Sequence, residues 1–214
     1  SKSYNNAIDP LITMNELGTD ALRFTLLVGS SPGNDMNLDI KRVEANRNFA
    51  NKIWNAGRFV IGCLGQVNEK AVKEPQWTMA DGWIWARLQG LVRDVERLFQ
   101  NHQYGEAGRQ LYEFFWSEFA DWYLEIAKNQ MTAGGDQAYY TASTLTRILD
   151  ISLRMLHPFI PFITEELWGR LRRAVLDSPL AGEAIEWPEA LIKARWPEPR
   201  IEESWEAPRI MDFT

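Results

Sequence analysis

The feature that most limits the fold of this 214-residue chain is the helical spacing of its apolar residues. Beyond Leu38 they recur three, four or seven positions apart, at Val43, Ala50, Ile53, Gly57, Val60 and Leu64. This spacing predicts a buried stripe on a helix of about 25 residues. The same spacing predicts four further helices, over about 78–100, 105–130, 137–156 and 164–175. We therefore expect an all-α protein, an up-and-down bundle of about five helices.

Short polar residues and prolines mark the predicted ends of these helices. Asn37 or Asp39 is suited to cap the first long helix, and Thr164, followed by two glutamates, is suited to cap the last. The dipeptide His157-Pro158 ends the fourth helix because proline disfavours the helical conformation in the residue before it.

Two segments are expected to lie outside this bundle. Residues 1–36 form a connector with two short helices, one over 11–17 and one from Gly18 through Val28, and the initial Ser1 suggests a piece of a longer protein. Residues 177–214 are rich in Pro and Trp, and we expect an acidic tail whose Trp rings pack back on the bundle. The alternative is a Pro-rich segment that binds another protein, which would make the chain a helical interaction scaffold.

The net charge of −6 argues at first against nucleic acid, since phosphate binding normally requires a basic balance. However, the charge is uneven. Residues 177–214 hold 4 basic and 9 acidic side chains, whereas residues 41–58 hold five basic side chains and only one acidic one. The total therefore hides a cationic stripe on the first long helix.

Side chains for catalysis or metal binding are scarce. The lone Cys63 excludes a disulfide framework and a zinc site built from Cys pairs, and it indicates a reducing compartment. With only His102 and His157 available, no Ser/His/Asp or Cys/His set is credible, and no acidic cluster has metal-ligand spacing. Gly134-Gly135 lacks the preceding strand and the Gly-Lys-Ser/Thr ending of a phosphate loop. We expect no metal or cofactor, no membrane span or secretory signal, and no catalysis by this chain alone.

One face of the first long helix carries the residue types that bind single-stranded RNA. Opposite the apolar stripe, seven, four, three and four positions apart, lie Lys41, Asn48, Lys52, Asn55 and Phe59. Cations bind phosphates, amides bind base edges, and an aromatic ring stacks on a base. The ordinary alternative is a solvated polar face, with Phe59 covering the core.

Longer motifs follow one another along the chain. They are Ser1-Lys2-Ser3, Gly18 to Phe24, Asp35 to Leu38, Arg47 to Val60, Trp116 to Glu125 and Leu156 to Trp168. Together they resemble class I aminoacyl-tRNA synthetases, in which the first motif ends the KMSKS signature. Arg47 to Val60 and Asp121 to Glu125 point to the valyl-tRNA synthetase family, with the related isoleucyl and leucyl families as alternatives.

The resemblance implies tRNA anticodon recognition, as part of a ligase that attaches valine to its tRNA with ATP. Residues 1–36 would be the end of the signature loop and the stem-contact connector, 37–176 the anticodon-binding domain and 177–214 the tail. Lys2 would help bind ATP with Mg in the complete enzyme. The other implied partners are the catalytic and editing domains of the same parent chain, in the cytoplasm, with no DNA and no membrane. Without those domains, we expect this chain to be inactive.

The resemblance also implies roles for single residues. The anticodon would lie between the helix containing Phe59 and the helix containing Leu124, with Phe59 stacked on an unstacked base and Lys41 against that base or its phosphate. Arg58 and Leu124 would complete the pocket, by charge and by apolar contact. Weaker candidates are Asp121 and Lys128, and an ion pair between helices is the alternative role for Asp121. The tryptophans of the matched segments are expected to be structural: Trp54, Trp116, Trp122 and Trp168.

Overall fold

The computed structural model describes residues 8–29, 38–73, 77–184 and 187–199, which form helices and contain no strand. The α-helices are α1 (Pro10–Leu17), α2 (Thr19–Gly29), α3 (Ile40–Leu64), α4 (Met79–Gln100), α5 (Tyr104–Glu113), α6 (Leu124–Thr132), α7 (Gly135–Leu156) and α8 (Pro161–Leu176). A π-helical segment, Phe114–Tyr123, joins α5 to α6, and two 3-10 turns, Ala181–Ala184 and Leu191–Lys193, follow α8. The five predicted bundle helices correspond to α3, α4, the continuous run from α5 to α6, α7 and α8. Lys2, Asn37 and residues 200–214 lie outside the described residues.

The ends of two helices, α3 and α7, agree with their sequence signals. The Asp39 carboxylate caps α3 by accepting a hydrogen bond from the backbone N–H of Lys41 at 3.0 Å. At the start of α4, Thr78 and Asp81 form a reciprocal capping box. The fourth predicted helix, α7, ends at Leu156, immediately before His157-Pro158.

The predicted cap of α8 is wrong. This helix begins at Pro161, so Thr164 lies inside its first turn, fully buried, and its hydroxyl donates to the backbone carbonyl of Ile160 at 2.9 Å. Proline suits the first helical turn because it has no N–H to leave without a partner.

The α2 helix shares the core of the bundle, which corrects the expectation that residues 1–36 lie outside it. Phe24 is 1% exposed, and its ring centroid lies 5.2 Å from that of Phe49 on α3 and 5.9 Å from that of Phe159. At Gly108 on α5, an added Cβ would lie 2.6 Å from Val28 Cγ2, so only glycine allows α2 to approach this closely. By contrast, α1 buries Thr13 alone.

The described part of the tail lies against the bundle. The ring of Trp187 stacks on that of Trp168 in α8 with centroids 4.8 Å apart, and Trp168 Nε1 donates to the carbonyl of Pro188 at 3.0 Å. Further along, the Trp196 ring centroid lies 5.2 Å from that of Phe99 in α4. Trp205, the last tryptophan of the tail, lies outside the described residues.

The π-helical segment, which was not predicted, brings an aromatic-rich stretch into the centre of the bundle. Phe115 and Phe119 are fully buried, and the Tyr123 hydroxyl donates to the buried Asp81 carboxylate at 2.6 Å. Burial and the Asp81 charge raise the pKa of Tyr123, so it stays a hydrogen-bond donor. Because backbone hydrogen bonds in a π-helix join residues five apart, the side-chain register differs from that of an α-helix. This segment supplies the partners of α3 at the candidate site.

Candidate nucleic-acid interface

The α3 helix has one face in the core and one at the surface. Phe49, Ile53 and Val60 are completely buried. Four of the predicted site residues on this helix are exposed and two are half-buried: Lys41, Asn48, Asn55 and Arg58, then Lys52 and Phe59. The polar face predicted from the spacing is therefore present, although Phe49 rather than Ala50 carries the buried stripe.

Lys52 lies between α3 and the π-helical segment. Its ammonium forms an ion pair with the Asp121 carboxylate and sits 4.5 Å from the ring centroid of Trp116. The helix-to-helix ion pair considered as the alternative role for Asp121 is thus present. Both side chains are partly open to solvent, 25% and 48% exposed, so an incoming phosphate can compete with Asp121 for the ammonium.

Phe59 lies beside a second cation, supplied by α6. Lys128 Nζ is 5.9 Å from the Phe59 ring centroid and 2.6 Å from Glu125 Oε1, in an ion pair within α6. The Phe59 ring packs on the core and is half-buried. The structure therefore brings Phe59 and Lys128 together across α3 and α6, and adds Glu125, which sequence reasoning did not select.

The geometry corrects the role implied for Lys41. Lys41 and Phe59 stand at opposite ends of α3, about 27 Å apart along the axis at about 1.5 Å per residue. They cannot lie against the same base. Leu124 is 6% exposed and belongs to the hydrophobic core, which leaves little of its side chain for direct contact with RNA.

Trp122, expected to be structural, is instead 66% exposed. Two acidic residues close to it in the sequence, Asp121 and Glu125, are the signal that could have identified Trp122 as an outward-facing position. Of the other matched tryptophans, Trp168 is fully buried, while Trp54 and Trp116 are half-buried and each lies under a cation.

Several donors on this face have no partner within the described part of the chain. Among the residues that the structure describes, the side chains of Asn48, Asn55 and Arg58 form no hydrogen bond or ion pair. They are therefore available to phosphate oxygens or base edges. In the same described ranges, no group of three or more His, Cys, Asp or Glu side chains could hold a metal ion. Likewise, none of the helices described there is long and apolar enough to cross a membrane.

Comparison with known proteins identifies the domain type. Residues 81–213 match the family of anticodon-binding domains of tRNA ligase, and residues 1–39 match class I tRNA synthetases (I, L, M and V). Similar proteins include the valine–tRNA ligases of Dehalococcoides mccartyi and Symbiobacterium thermophilum, 49% and 47% identical over 173 residues, and of Petrotoga mobilis, 41% identical over 189 residues. These matches cover 80%, 80% and 88% of this chain, but the chain spans only 19% to 21% of the relatives' own length.

A solved structure shows the same fold. In the crystal structure of the ternary complex LeuRS-tRNA-LeuAMS from Agrobacterium radiobacter, one chain matches 94% of the present chain, over 22% of its own length, with a TM-score of 0.63 and 20% identity. That identity supports the fold alone. The family match, however, covers residues 81–213, more than half of the sequence, and the chain therefore belongs to the family of anticodon-binding domains of tRNA ligases.

Proposed function

We propose that this chain recognises the anticodon of valine tRNA, as part of a valine–tRNA ligase. The observation that carries the proposal is the half-buried Phe59 ring, which has the Lys128 ammonium 5.9 Å from its centroid. Arg58, next to it in the sequence, has no partner among the described residues. The choice of valine rests on relatives named valine–tRNA ligase at 41% to 49% identity.

The chemistry of this face suits a single-stranded RNA loop whose bases are unstacked. One base stacks on the exposed part of the Phe59 ring, a contact worth about 1–3 kcal/mol by alanine substitution. The amide of Asn55, one turn earlier on α3, bonds a base edge, and Arg58 binds a phosphate or a base acceptor. Lys128 then exchanges Glu125 for a phosphate of the same loop.

Other predicted residues have more distant parts in this proposal. Lys52 binds a phosphate by exchanging it for the Asp121 carboxylate. Asn48 lies one turn further from Phe59 than Lys52 does. Lys41 binds the backbone of a different part of the tRNA. Leu124 supports the pocket from the core side of α6 and offers RNA little surface of its own.

The activity of the complete enzyme also belongs to the proposal, because the chain spans about a fifth of its relatives. The parent would use ATP with Mg, bound in part through Lys2, in catalytic and editing domains outside this chain. We expect the parent to work in the cytoplasm, where the buried Cys63 thiol, whose pKa burial raises to about 11, stays reduced. Alone, the chain should show no valine-dependent pyrophosphate exchange above background.

Two alternatives make different predictions. An isoleucyl or leucyl enzyme would prefer the corresponding tRNA in a panel of purified tRNAs. A protein-interaction scaffold would need its Trp-Pro tail to be available, yet Trp187 and Trp196 pack on α8 and α4. Removal of residues 178–214 separates this alternative, because a scaffold would lose its partner while tRNA binding persisted.

The direct test is binding of the chain to valine tRNA and to the same tRNA with its anticodon replaced, at one fixed salt concentration. Because most of the nonspecific affinity is electrostatic, the salt must be identical in both arms. We expect tighter binding of the valine anticodon. Equal affinities would reduce the interaction to nonspecific adhesion and contradict the proposal.

A further inference from the structure

A second cationic surface adjoins the candidate site on α3, where α8 packs. The side chains of α8 residues 170–173 have three different surroundings, in the run Gly169-Arg170-Leu171-Arg172-Arg173. Leu171 is fully buried, and Arg172 Nε donates to the backbone carbonyl of Trp187 in the tail at 3.3 Å. Arg170 and Arg173, about one helical turn apart, are exposed.

Close packing of α3 and α8 brings Arg170 against α3. At Gly57 of α3, an added Cβ would lie 2.7 Å from Leu167 Cδ2, so the two helices touch where glycine leaves room. The Arg170 guanidinium carbon lies 5.1 Å from the ring centroid of Trp54 on α3. Arg58 follows Trp54 by one helical turn, which places it on the side of α3 that carries Trp54.

The charge of this surface is not neutralised. Glu166 pairs with Arg170 at 2.7 Å. Across the ranges that the structure describes, neither Arg58 nor Arg173 forms a side-chain hydrogen bond or ion pair, and Asp177, one turn after Arg173, forms no ion pair with it. The three guanidinium groups therefore exceed the two carboxylates of Glu166 and Asp177, and within the described residues only Arg170 is paired.

Three arginines on α4 and α5 are arranged differently. Each has a carboxylate partner within 3.0 Å, in the pairs Arg87–Glu118, Arg97–Asp94 and Arg109–Glu106. Arg93 on α4 is exposed and, among the described residues, has no ion-pair partner. It therefore supplies a matched control of the same charge, away from α3.

We propose that Arg58, Arg170 and Arg173 bind backbone phosphates of the RNA strand that flanks the bases held at the α3–α6 face. The proposal rests on the proposed function and extends it from Arg58 to the neighbouring surface of α8. Planar guanidinium groups suit phosphate oxygens because they can donate two hydrogen bonds at once. The Trp54 ring holds Arg170 in place before binding, so less side-chain freedom is lost when the phosphate arrives. These contacts add affinity without base discrimination, because phosphates carry no sequence information.

The test measures affinity against salt concentration for the full chain and its variants, with valine tRNA and with its anticodon-replaced form. Each phosphate contact contributes about 0.7 to 0.9 to the slope of log K against log salt. The variant Arg170→Gln/Arg173→Gln should have a slope shallower by about 1.4 to 1.8, with an equal loss of affinity for both tRNAs. Arg170→Lys/Arg173→Lys should keep most of the slope, and Arg93→Gln should leave it unchanged. Thermal melting of each variant accompanies the titrations, so that affinity is compared among folded proteins.

The two proposals fail in different ways. If the wild-type chain prefers the valine anticodon but the slope of Arg170→Gln/Arg173→Gln equals that of Arg93→Gln, the phosphate surface is wrong and anticodon recognition stands. If the double variant loses affinity for only one of the two tRNAs, these arginines contact bases, and the proposal is overturned in that form. A wild-type chain with no anticodon preference contradicts the proposed function itself.

Discussion

The carboxylate of Asp20 on α2 caps the first turn of α8, where the backbone N–H of Ile163 donates to it at 2.7 Å across 143 positions of sequence. The N–H of Phe162 donates to the same carboxylate at 3.3 Å. Beside it, Arg23 Nη2 donates to the carbonyl of Pro158 at 3.1 Å. The corner between α7 and α8 is therefore held by the helix that the sequence assigned to a separate connector.

Asp20→Ala should destabilise the whole bundle, because it removes two charge-assisted hydrogen bonds from a helix end that no local residue caps. Loss of an N-cap typically costs about 0.5–2 kcal/mol. Urea unfolding followed by far-UV circular dichroism measures the change. Asp9→Ala is the matched control, since Asp9 caps only α1, where one residue is buried. Equal midpoints for Asp20→Ala and Asp9→Ala would contradict the tertiary role of Asp20.

Stability should fall as the pH drops through about 6.5, because burial lowers the pKa of His157 and the carboxylates of Glu165 and Asp20 offset this only in part. Below pH 6.5, the unfolded chain binds a proton at this position that the folded chain binds less readily, so protonation favours unfolding. The slope from one proton is at most about 1.4 kcal/mol per pH unit.

His157→Gln should flatten this part of the curve of unfolding free energy against pH. His102→Asn is the control, since His102 is the only other histidine of the sequence and lies exposed in the turn between α4 and α5. The account is wrong on this point if the His102 variant, and not the His157 variant, removes the slope.

Gly57→Ala should destabilise the α3–α8 contact, because the new methyl group would meet Leu167 at 2.7 Å. Overpacking of this kind costs about 1–3 kcal/mol. Gly62→Ala, five positions later in the same helix, finds open space and should gain up to about 1 kcal/mol from helix propensity. Opposite shifts in melting temperature are expected, and a matching gain at both positions would show that α8 does not pack this closely.

Asp121→Asn should increase affinity for tRNA, because it removes the carboxylate that pairs with Lys52 and leaves the ammonium to a phosphate. The slope of log K against log salt should steepen by about 0.7 to 0.9, one additional phosphate contact. Since the pair is partly exposed, the stability change should stay below about 1 kcal/mol. Glu106→Gln, which frees Arg109 on α5, is the control. An unchanged slope for Asp121→Asn would show that Lys52 does not reach RNA.

The helices could be predicted from sequence because apolar spacing reports directly on burial along one element. Ile84, Leu88, Leu91, Val95 and Leu98 follow the helical spacing, and all are buried on α4. The Asp20 cap could not be found in this way, because its partners are 142 and 143 positions away and no local pattern marks them. The π-helical register was hidden for a similar reason, since the aromatic residues of 114–123 fit a buried helix of either kind.

The residues of the candidate site on α3 could be predicted from the sequence, but their contacts with other helices could not. The spacing of Lys52, Asn55 and Phe59 placed them on one face of α3, but the ion pair of Lys52 with Asp121 depends on how two helices meet. The separation of Lys41 from Phe59 is different, because the predicted length of the helix and its rise per residue already place them far apart. That correction was available from the sequence.

The central claim is that the α3–α6 face reads the anticodon through Phe59, and the most direct test is the effect of Phe59→Ala on discrimination. The measurement is the ratio of the Kd for anticodon-replaced tRNA to that for valine tRNA, at fixed salt, in the wild type, Phe59→Ala, Phe59→Trp and Phe162→Ala. Phe162, 64% exposed at the start of α8, controls for loss of a surface ring. We predict that Phe59→Ala loses about 1–3 kcal/mol of affinity for valine tRNA alone, so that the ratio falls toward one, while the Trp variant and the control keep it. An unchanged ratio in folded Phe59→Ala protein would contradict the account.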